Sequence, residues 1–265
     1  MCGKIDYSYL KRVRKIICIG RNYAAHIEEL NNPTPKQPFF FLKPNSSVVT
    51  QPQAGKSAQN TGPGDSTYRG LQEDGSNPGK IFIPRGVKVH HEVELALVMG
   101  QNVSNASKGT FGPKELYDSI SGITLSLDLT ARNVQDEAKR KGLPWSIGKG
   151  FDTFLPISEF ISKTLLGDPA RLQDSFRLKC EVNGKTRHDG TSDLMLTPLH
   201  EIVQHISTVM SLEAGDLVLT GTPAGVGELH PNDVVTSELY QDGKLLTKMT
   251  FECAEKPGPY EYRET

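Results

Sequence analysis

The sequence predicts an α+β fold that is rich in β-strands. Short segments that are continuously apolar, or that alternate between apolar and polar residues, recur along the 265 residues, whereas few stretches have helical spacing. Two dipeptides typical of hairpin turns, Asn183-Gly184 and Asp242-Gly243, lie between such segments in the C-terminal half. Many β segments with few helices indicate a mixed, β-rich fold.

The N-terminal third begins with two short apolar segments that predict strands, Ile16–Ile19 and Pro38–Leu42. A helical turn through Ala24–Leu30 and a proline-rich break lie between them. From Pro52 to Lys80 the chain is rich in Gly, Ser, Gln and Asn, which predicts a long polar insertion outside the core. We expect one domain over residues 1–265 that carries this insertion at about 52–80.

The middle of the chain predicts a strand at Ile81–Pro84 and two longer strands with alternating polarity. In His90–Met99, period-2 geometry puts His90, Glu92 and Glu94 on one face and Val93, Leu95 and Leu97 on the other. Ser121–Leu129 alternates in the same way, with Asp128 on its polar face. Thr130–Lys141 then predicts a helix that Gly142 and Pro144 end.

The C-terminal half predicts a hairpin, a helix and more strands. Phe176–Val182 and Lys185–Arg187 flank Asn183-Gly184 and form the hairpin. Thr197-Pro198 precedes a helix that runs to about Met210. Asp216–Thr220 predicts a buried strand that enters the glycine-rich turn GTPAGVG, and Asp233–Met249 adds strands around Asp242-Gly243.

Composition excludes several classes of function. Thirty basic and 31 acidic residues give a net charge of −1, so no global field favours nucleic acid or anionic membranes. No apolar stretch approaches the length of a membrane-spanning helix. The four cysteines lie far apart without a CxxC motif, which argues against a zinc finger or a disulfide framework and for a reducing compartment.

Three acidic residues form a candidate metal site. Glu92 and Glu94 are two residues apart on a strand, about 7 Å along its axis, and Asp128 lies at the end of the second alternating strand. Three carboxylates without a thiolate suit Mg²⁺, with Mn²⁺ or Ca²⁺ as lesser candidates. A solvated sheet face with a helix-capping Asp128 would show the same pattern.

Other polar residues extend the candidate site. Arg132 and Gln135 follow Asp128 in the chain and are three residues apart, so they lie on one side of a helix, where they could hold a substrate carboxylate. Lys149 lies between two glycines. His26 and Glu29 have the same spacing, so Glu29 could orient His26 as a base. The alternatives are a solvated helix face, a loop lysine and a surface His–Glu pair.

Six segments resemble the fumarylacetoacetate hydrolase family, and in particular its short branch of acylpyruvases and oxaloacetate-handling enzymes. They occur in the family's order over most of the chain: GRNYAAHIEEL (20–30), FLKP (41–44), HHEVELALVMG (90–100), LDLTARNVQ (127–135), KGLPWSIGKGFDTFLP (141–156) and GDLVLTGTPAGVG (215–227). The resemblance implies a mixed β-roll of the type of the family's C-terminal domain, usually as a homodimer, with Mg²⁺ in a cleft.

The resemblance also implies roles for single residues. Glu92, Glu94 and Asp128 would ligate the metal, Lys149 would stabilise negative charge on the substrate, and His26 with Glu29 would form a base dyad on a lid. The positions that would contact substrate are Arg21, Lys43, Arg132, Gln135 and Thr222. The insertion is longer than the loop of most relatives.

The implied substrates are small 2-oxo acids, whose keto and carboxylate oxygens can chelate one Mg²⁺. The cation and Lys149 would then stabilise an enolate. Oxaloacetate tautomerisation, acylpyruvate hydrolysis and oxaloacetate decarboxylation are all compatible with such a site. The alternatives are a catalytically idle binding scaffold of this fold, and an isomerase or hydratase acting on larger ring-cleavage products. The basic first fifteen residues and the family's habit predict the mitochondrial matrix, with the cytosol as the alternative.

Overall fold

The computed structural model describes residues 6–52 and 70–265, and within these residues the strands form three sheets. In chain order the strands are β1 Ile16–Gly20, β2 Phe39–Lys43, β3 Val48–Thr50, β4 Ile81–Ile83, β5 Val89–His91, β6 Val93–Met99, β7 Ile120–Leu127, β8 Thr130–Ala131, β9 Leu155–Ile157, β10 Ile161–Ser162, β11 Phe176–Val182, β12 Lys185–Thr191, β13 Leu217–Leu219, β14 Gly227–Leu229, β15 Val234–Gln241 and β16 Lys244–Glu255.

The largest sheet has the order β2-β1-β13-β6-β7-β9-β3, with β10 beside β7. A five-stranded sheet has the order β12-β11-β15-β16-β4, and a small sheet has the order β14-β5-β8. Parallel and antiparallel pairs occur in the same sheet: β1 pairs parallel with β13 and antiparallel with β2. The expected β-rich fold with mixed sheets is confirmed.

Two hydrophobic clusters lie on opposite faces of the large sheet, as strand alternation requires. On β6, Leu95 and Leu97 belong to the larger cluster, which includes Phe176 and Leu178 of the five-stranded sheet. The neighbouring β6 residues Ala96 and Val98 belong to the smaller cluster. Val93, Leu95 and Leu97 share an apolar face as predicted. The predicted strand His90–Met99 is however divided at Glu92, where the chain passes from the small sheet to the large one, and the opposite face of β6 is also apolar and buried at Ala96 and Val98.

Five α-helices are present in the described residues: α1 Ala24–Glu29, α2 Pro113–Ser119, α3 Arg132–Lys141, α4 Ser146–Lys149 and α5 Leu199–Val209. The predicted helix at Thr130–Lys141 begins two residues later because Thr130 and Ala131 pair with His90 and Val89 as strand β8. Gly142 ends α3 in a left-handed conformation, φ 67°. The short helix α4 was not predicted, because four residues are too few for a helical period to be recognised.

The polar insertion is partly part of the core, contrary to expectation. Residues 75–79 are buried. The side-chain amide of Asn77 donates to the Val48 carbonyl, and the backbone amide of Asn77 donates to Thr50 Oγ1. The composition of the segment hid these contacts, since they use backbone and amide groups. The rest of the predicted insertion, 53–69, lies outside the described residues.

The basic N-terminal segment also joins the fold. A 3₁₀ turn at Ser8–Arg12 buries Tyr9 and Leu10, which belong to the smaller hydrophobic cluster. Cys18, Cys180 and Cys253 are free and buried, while Cys2 lies outside the described residues. In the part of the chain that the structure describes, no helix combines the length and the apolar character needed to cross a bilayer.

Candidate metal and catalytic site

Glu92 and Asp128 lie where the chain passes from one sheet to another. Glu92 separates β5, in the small sheet, from β6, in the large one; Asp128 follows β7 of the large sheet and precedes β8 of the small one. The amide of Asp128 donates to the carbonyl of Glu92 at 2.8 Å, which fixes the two junctions against each other. Glu94 lies one pleat further along β6. Regular pairing ends at these junctions, so the carboxylates can face a common cavity.

The three acids form one buried cluster. Glu92, Glu94 and Asp128 are 5%, 2% and 1% exposed, and one carboxylate oxygen of each lies within 4.8 Å of the others. A solvated sheet face, the alternative left open by the sequence, is therefore wrong. Lys149 Nζ lies 2.6 Å from Asp128 Oδ2 and 3.0 Å from Glu92 Oε2, and Arg132 pairs with Glu92 Oε1.

The neighbouring charges shift the pKa values of Glu92 and Glu94 in opposite directions. Burial alone would raise the pKa of Glu92, but the charges of Lys149 and Arg132 outweigh it and hold that pKa well below the ordinary value. For Glu94, burial and the neighbouring Asp128 and Glu92 carboxylates raise the pKa well above the ordinary value. The amide of Gly221 donates to Glu94 Oε2 at 2.7 Å. No lysine or arginine of the described chain forms an ion pair with Glu94.

This donor set fits a hard divalent cation. All the ligand atoms are carboxylate oxygens, which suit Mg²⁺, Mn²⁺ or Ca²⁺. Asp128 Oδ1 is buried and accepts no hydrogen bond from the described residues, although Lys43 Nζ forms an ion pair with it at 2.8 Å. A buried glutamate that has two carboxylates and no basic partner beside it within the described residues leaves a position at which a cation would relieve like-charge repulsion.

His26 and Glu29 lie on α1, and of the two only His26 lines the cavity that contains the three acids. His26 is 7% exposed and lines the cavity above the acids; burial lowers its pKa, so the imidazole is neutral near pH 7. Glu29 Oε2 is 3.5 Å from His26 Nδ1, which has no hydrogen-bond partner among the residues that the structure describes. The backbone amide of Gly225 donates to Glu29 at 3.1 Å. The predicted pair is thus adjacent but not hydrogen-bonded in this conformation.

The predicted substrate residues divide into two groups. Arg21, Arg132, Gln135 and Thr222 line the cavity, and Arg132 Nη1 donates to Gln135 Oε1 at 2.8 Å, as their helical spacing predicted. Lys43 lies behind the acids, where Nζ donates to the carbonyls of Leu129 and Lys149 at 3.0 and 2.6 Å. Since Lys43 Nζ is already bonded to these groups, we expect Lys43 to hold Asp128 and the backbone at Lys149 in place and not to contact a ligand.

The sequence analysis did not identify some of the residues that line the cavity. Lys139 lies one turn beyond Gln135 on the same face of α3, a spacing that could have revealed it. Phe39, Phe41 and Trp145 form an aromatic wall, with Lys149 Nζ 4.6 Å from the centroid of the Phe41 ring. No local pattern signals this wall, because it joins β2 to the start of α4.

A buried histidine pair supports the glycine-rich turn that holds Glu29. His91 Nδ1 and His188 Nε2 are 2.8 Å apart, and His188 Nδ1 lies 3.0 Å from the carbonyls of Pro223 and Ala224. Both rings are fully buried, and burial is the main cause that lowers the pKa of each. The pair therefore connects β5 and β12 to residues 223–224 through neutral imidazoles.

Comparison with known proteins places this geometry in a family. Residues 15–250 match the fumarylacetoacetate (FAA) hydrolase C-terminal family. The mitochondrial oxaloacetate tautomerase FMP41 of Saccharomyces cerevisiae is 63% identical over 98% of this chain and 100% of its own length. The crystal structure of yeast ynq8, a fumarylacetoacetate hydrolase family protein, superimposes with a TM-score of 0.87 at 60% identity, covering 98% of this chain and 100% of that one.

A more distant solved structure carries ligands. Fumarylpyruvate hydrolase from Pseudomonas aeruginosa, in complex with Mn²⁺ and pyruvate, has a TM-score of 0.72 and 26% identity, covering 92% of this chain and 91% of that one. The match along the sequence and the agreement of the folds lead to one conclusion: the chain belongs to the fumarylacetoacetate hydrolase family.

Proposed function

We propose that the protein is a divalent-metal-dependent enzyme that enolises small 2-oxo acids, with oxaloacetate keto–enol tautomerisation as its main reaction and acylpyruvate hydrolysis as a second one. The observation that carries the proposal is the buried cluster of Glu92, Glu94 and Asp128, with Lys149 paired to it and His26 lining the same cavity. The name of the yeast relative favours oxaloacetate, and that of the Pseudomonas structure favours acylpyruvates.

The three carboxylates would hold the cation, with Mg²⁺ as the proposed ion. When bound, such an ion would act as a Lewis acid that polarises the keto group of the substrate. The proposal of Mg²⁺ rests on the oxygen-only ligands of a deep, small site; the Mn²⁺ of the Pseudomonas structure supports a divalent ion in general.

The chain's own residues account for the proton transfers. Neutral His26 can accept the proton from C3 of the substrate, and Glu29 is placed to stabilise the imidazolium that results. The buried ammonium of Lys149 opposes the negative charge that develops on the enolate oxygen. Arg132, paired with Gln135 on α3, can bind a substrate carboxylate. In hydrolysis the same histidine would activate water toward the C4 carbonyl.

Two variants test the site. Asp128→Ala should abolish binding of Mg²⁺ and lower kcat by about 10³-fold or more, because it removes a ligand and removes the carboxylate that pairs with Lys43 and, together with Glu92, with Lys149. His26→Ala should lower acylpyruvate hydrolysis by about 10²–10⁴-fold while metal binding is kept. Calorimetry with MgCl₂, and NMR of the purified protein with Mg²⁺ and oxaloacetate, acetylpyruvate or fumarylpyruvate, measure both effects.

Asp189→Ala is the matched control, because Asp189 pairs with Arg177 on β11 at the surface, outside the cavity. Wild-type metal affinity in Asp128→Ala would overturn the ligand assignment. Metal-dependent binding of oxalate without turnover of any 2-oxo acid would instead identify an idle scaffold.

We also propose a homodimer in the mitochondrion. An apolar groove of about 370 Å³ runs between α4 and the C-terminal segment, where Leu143 and Ile147 are 45% and 58% exposed, and a partner subunit would cover them. Sedimentation of a monomer at micromolar concentration would refute the dimer.

The mitochondrial assignment rests on the name of the yeast relative, and a cytosolic fraction that holds all of the tagged protein would refute it.

A further inference from the structure

A second cavity adjoins the catalytic one. The cavity above the acids is small, about 40 Å³, whereas the neighbouring space, here called the distal cavity, is about 430 Å³. Ile19, Gly20 and Arg21 line both. The distal cavity continues along the proline-rich segment 34–38 to the loop at Lys108 and the side of α5. A ligand that is bound above the acids can therefore extend past Arg21 into a space of ligand-binding size.

Arg21 is held in place at the boundary between the cavities. Its φ of 60° is in the left-handed region, which is uncommon for a residue other than glycine. The next residue, Asn22, is fixed by side-chain hydrogen bonds to Thr197 N, Thr197 O and Thr220 O, at 2.7, 3.1 and 2.9 Å. These three hydrogen bonds fix the backbone next to Arg21 and so stabilise its strained conformation.

The guanidinium of Arg21 is not neutralised. It donates to the Pro33 carbonyl at 3.3 Å and lies 5.5 Å from the centroid of the Phe39 ring. Among the described residues no carboxylate forms an ion pair with it. Arg21 is thus a positioned cation that is available to an anion in either cavity.

The distal cavity carries two more cations of this kind. Lys36 and Lys108 line it, and neither forms an ion pair with a residue of the described chain. Glu201 is the one acidic residue that lines the cavity in the described structure. Three unpaired basic groups against one carboxylate favour a negatively charged ligand.

We propose that the distal cavity is the subsite for the far, carboxylate-bearing end of 2,4-dioxo acids that are longer than oxaloacetate. This rests on the proposed function, because the reacting end must be anchored above Glu92, Glu94 and Asp128. Arg21 binds the middle of such a substrate, and Lys36 and Lys108 bind its distal carboxylate. Oxaloacetate is too short to reach these lysines, and short acylpyruvates have an uncharged acyl end that the lysines would not bind.

The test compares two substrates that differ at the distal end. In the double variant Lys36→Gln/Lys108→Gln, the affinity for fumarylpyruvate, measured by calorimetry in the presence of Mg²⁺, should fall by about 10-fold, and kcat/KM should fall with it. The affinity for acetylpyruvate, which lacks the distal carboxylate, should change by less than about two-fold. Both lysines are exposed, so the folded state tolerates the change.

The matched control is Lys114→Gln/Lys185→Gln, which removes the same charge from two exposed lysines outside the cavity. An equal loss for both substrates, or the same loss in the control, would overturn the subsite. If wild-type protein turns over no 2-oxo acid, the proposed function fails, and the calorimetric difference between fumarylpyruvate and acetylpyruvate still decides whether the distal cavity binds a carboxylate.

Discussion

Glu92 and Glu94 are both almost fully buried and lie two residues apart, but their surroundings are opposite. Glu92 accepts from Lys149 and Arg132, so its charge is compensated within the chain. Glu94 accepts from the amide of Gly221 and otherwise faces the carboxylates of Asp128 and Glu92. The metal-free protein therefore has a source of repulsion at Glu94 that a bound cation would remove.

Glutamine substitutions at the two positions should have opposite effects on the metal-free protein. Glu94→Gln retains an acceptor for Gly221 and removes a carboxyl group whose ionisation burial, Asp128 and Glu92 disfavour, so we expect the free energy of unfolding to rise by about 1–2 kcal/mol. Glu92→Gln leaves Lys149 and Arg132 undercompensated and should lower it by about 3 kcal/mol. Urea unfolding in EDTA measures both.

Metal should then stabilise wild type alone. At about 100 times its dissociation constant, Mg²⁺ adds about 2.7 kcal/mol to the wild-type protein, and this increment should disappear in both glutamine variants. Destabilisation of the metal-free protein by Glu94→Gln would show that Glu94 is already compensated without a cation.

At the scale of the element, the turn 221–227 connects the acids to the proposed base. The amide of Gly221 contacts Glu94, the amide of Gly225 contacts Glu29, and His188 contacts the carbonyls between them. Gly225 has φ 117°, and an added Cβ would lie 2.0 Å from the backbone oxygen of Arg187. The packing of this turn on β12 thus depends on a residue without a side chain.

Gly225→Ala should displace the turn and release Glu29. We expect a loss of about 2–4 kcal/mol in the free energy of unfolding, from backbone strain and from the clash with Arg187. Acylpyruvate hydrolysis should fall more than metal affinity, because the turn holds Glu29 through Gly225 itself. Gly109→Ala is the control, since its added Cβ would meet no atom of the described chain within 4 Å. Equal stability of the two variants in urea would contradict this account.

At the scale of the whole molecule, sequence patterns predicted the features that depend on residues close together in the chain. The alternation of β6 and β7, the hairpin at Asn183-Gly184 and the end of α3 at Gly142 follow from period and turn chemistry, and the acids could be named from their spacing. The distal cavity and the aromatic wall could not, because β1, β2, α4 and α5 meet there from distant parts of the chain. Lys43 illustrates the limit, since its sequence context did not reveal the two carbonyls and the Asp128 oxygen that surround it.

One long-range connection gives a pH-dependent prediction. Glu137, on α3, accepts hydrogen bonds from Thr265 and from the hydroxyl of Tyr262, and it pairs with Lys141. These bonds tie the C-terminal residues to the helix that begins with Arg132. The hydrogen bond from Thr265, followed by that from Lys141, lowers the pKa of Glu137 from 4.5 to about 2.

A carboxyl whose pKa is lower in the folded than in the unfolded protein stabilises the fold fully above the unfolded value, here 4.5. This contribution decreases as the pH falls from 4.5 toward 2, because the unfolded chain takes up its proton first. The difference in unfolding free energy between wild type and Glu137→Gln, measured in urea, should therefore be greatest at pH 6 and shrink by pH 3. Glu228→Gln, at an exposed glutamate of β14, should show no such convergence. A wild-type advantage over Glu137→Gln that stayed constant from pH 6 to pH 3 would mean that the ionised carboxylate does not hold the C-terminal residues on α3.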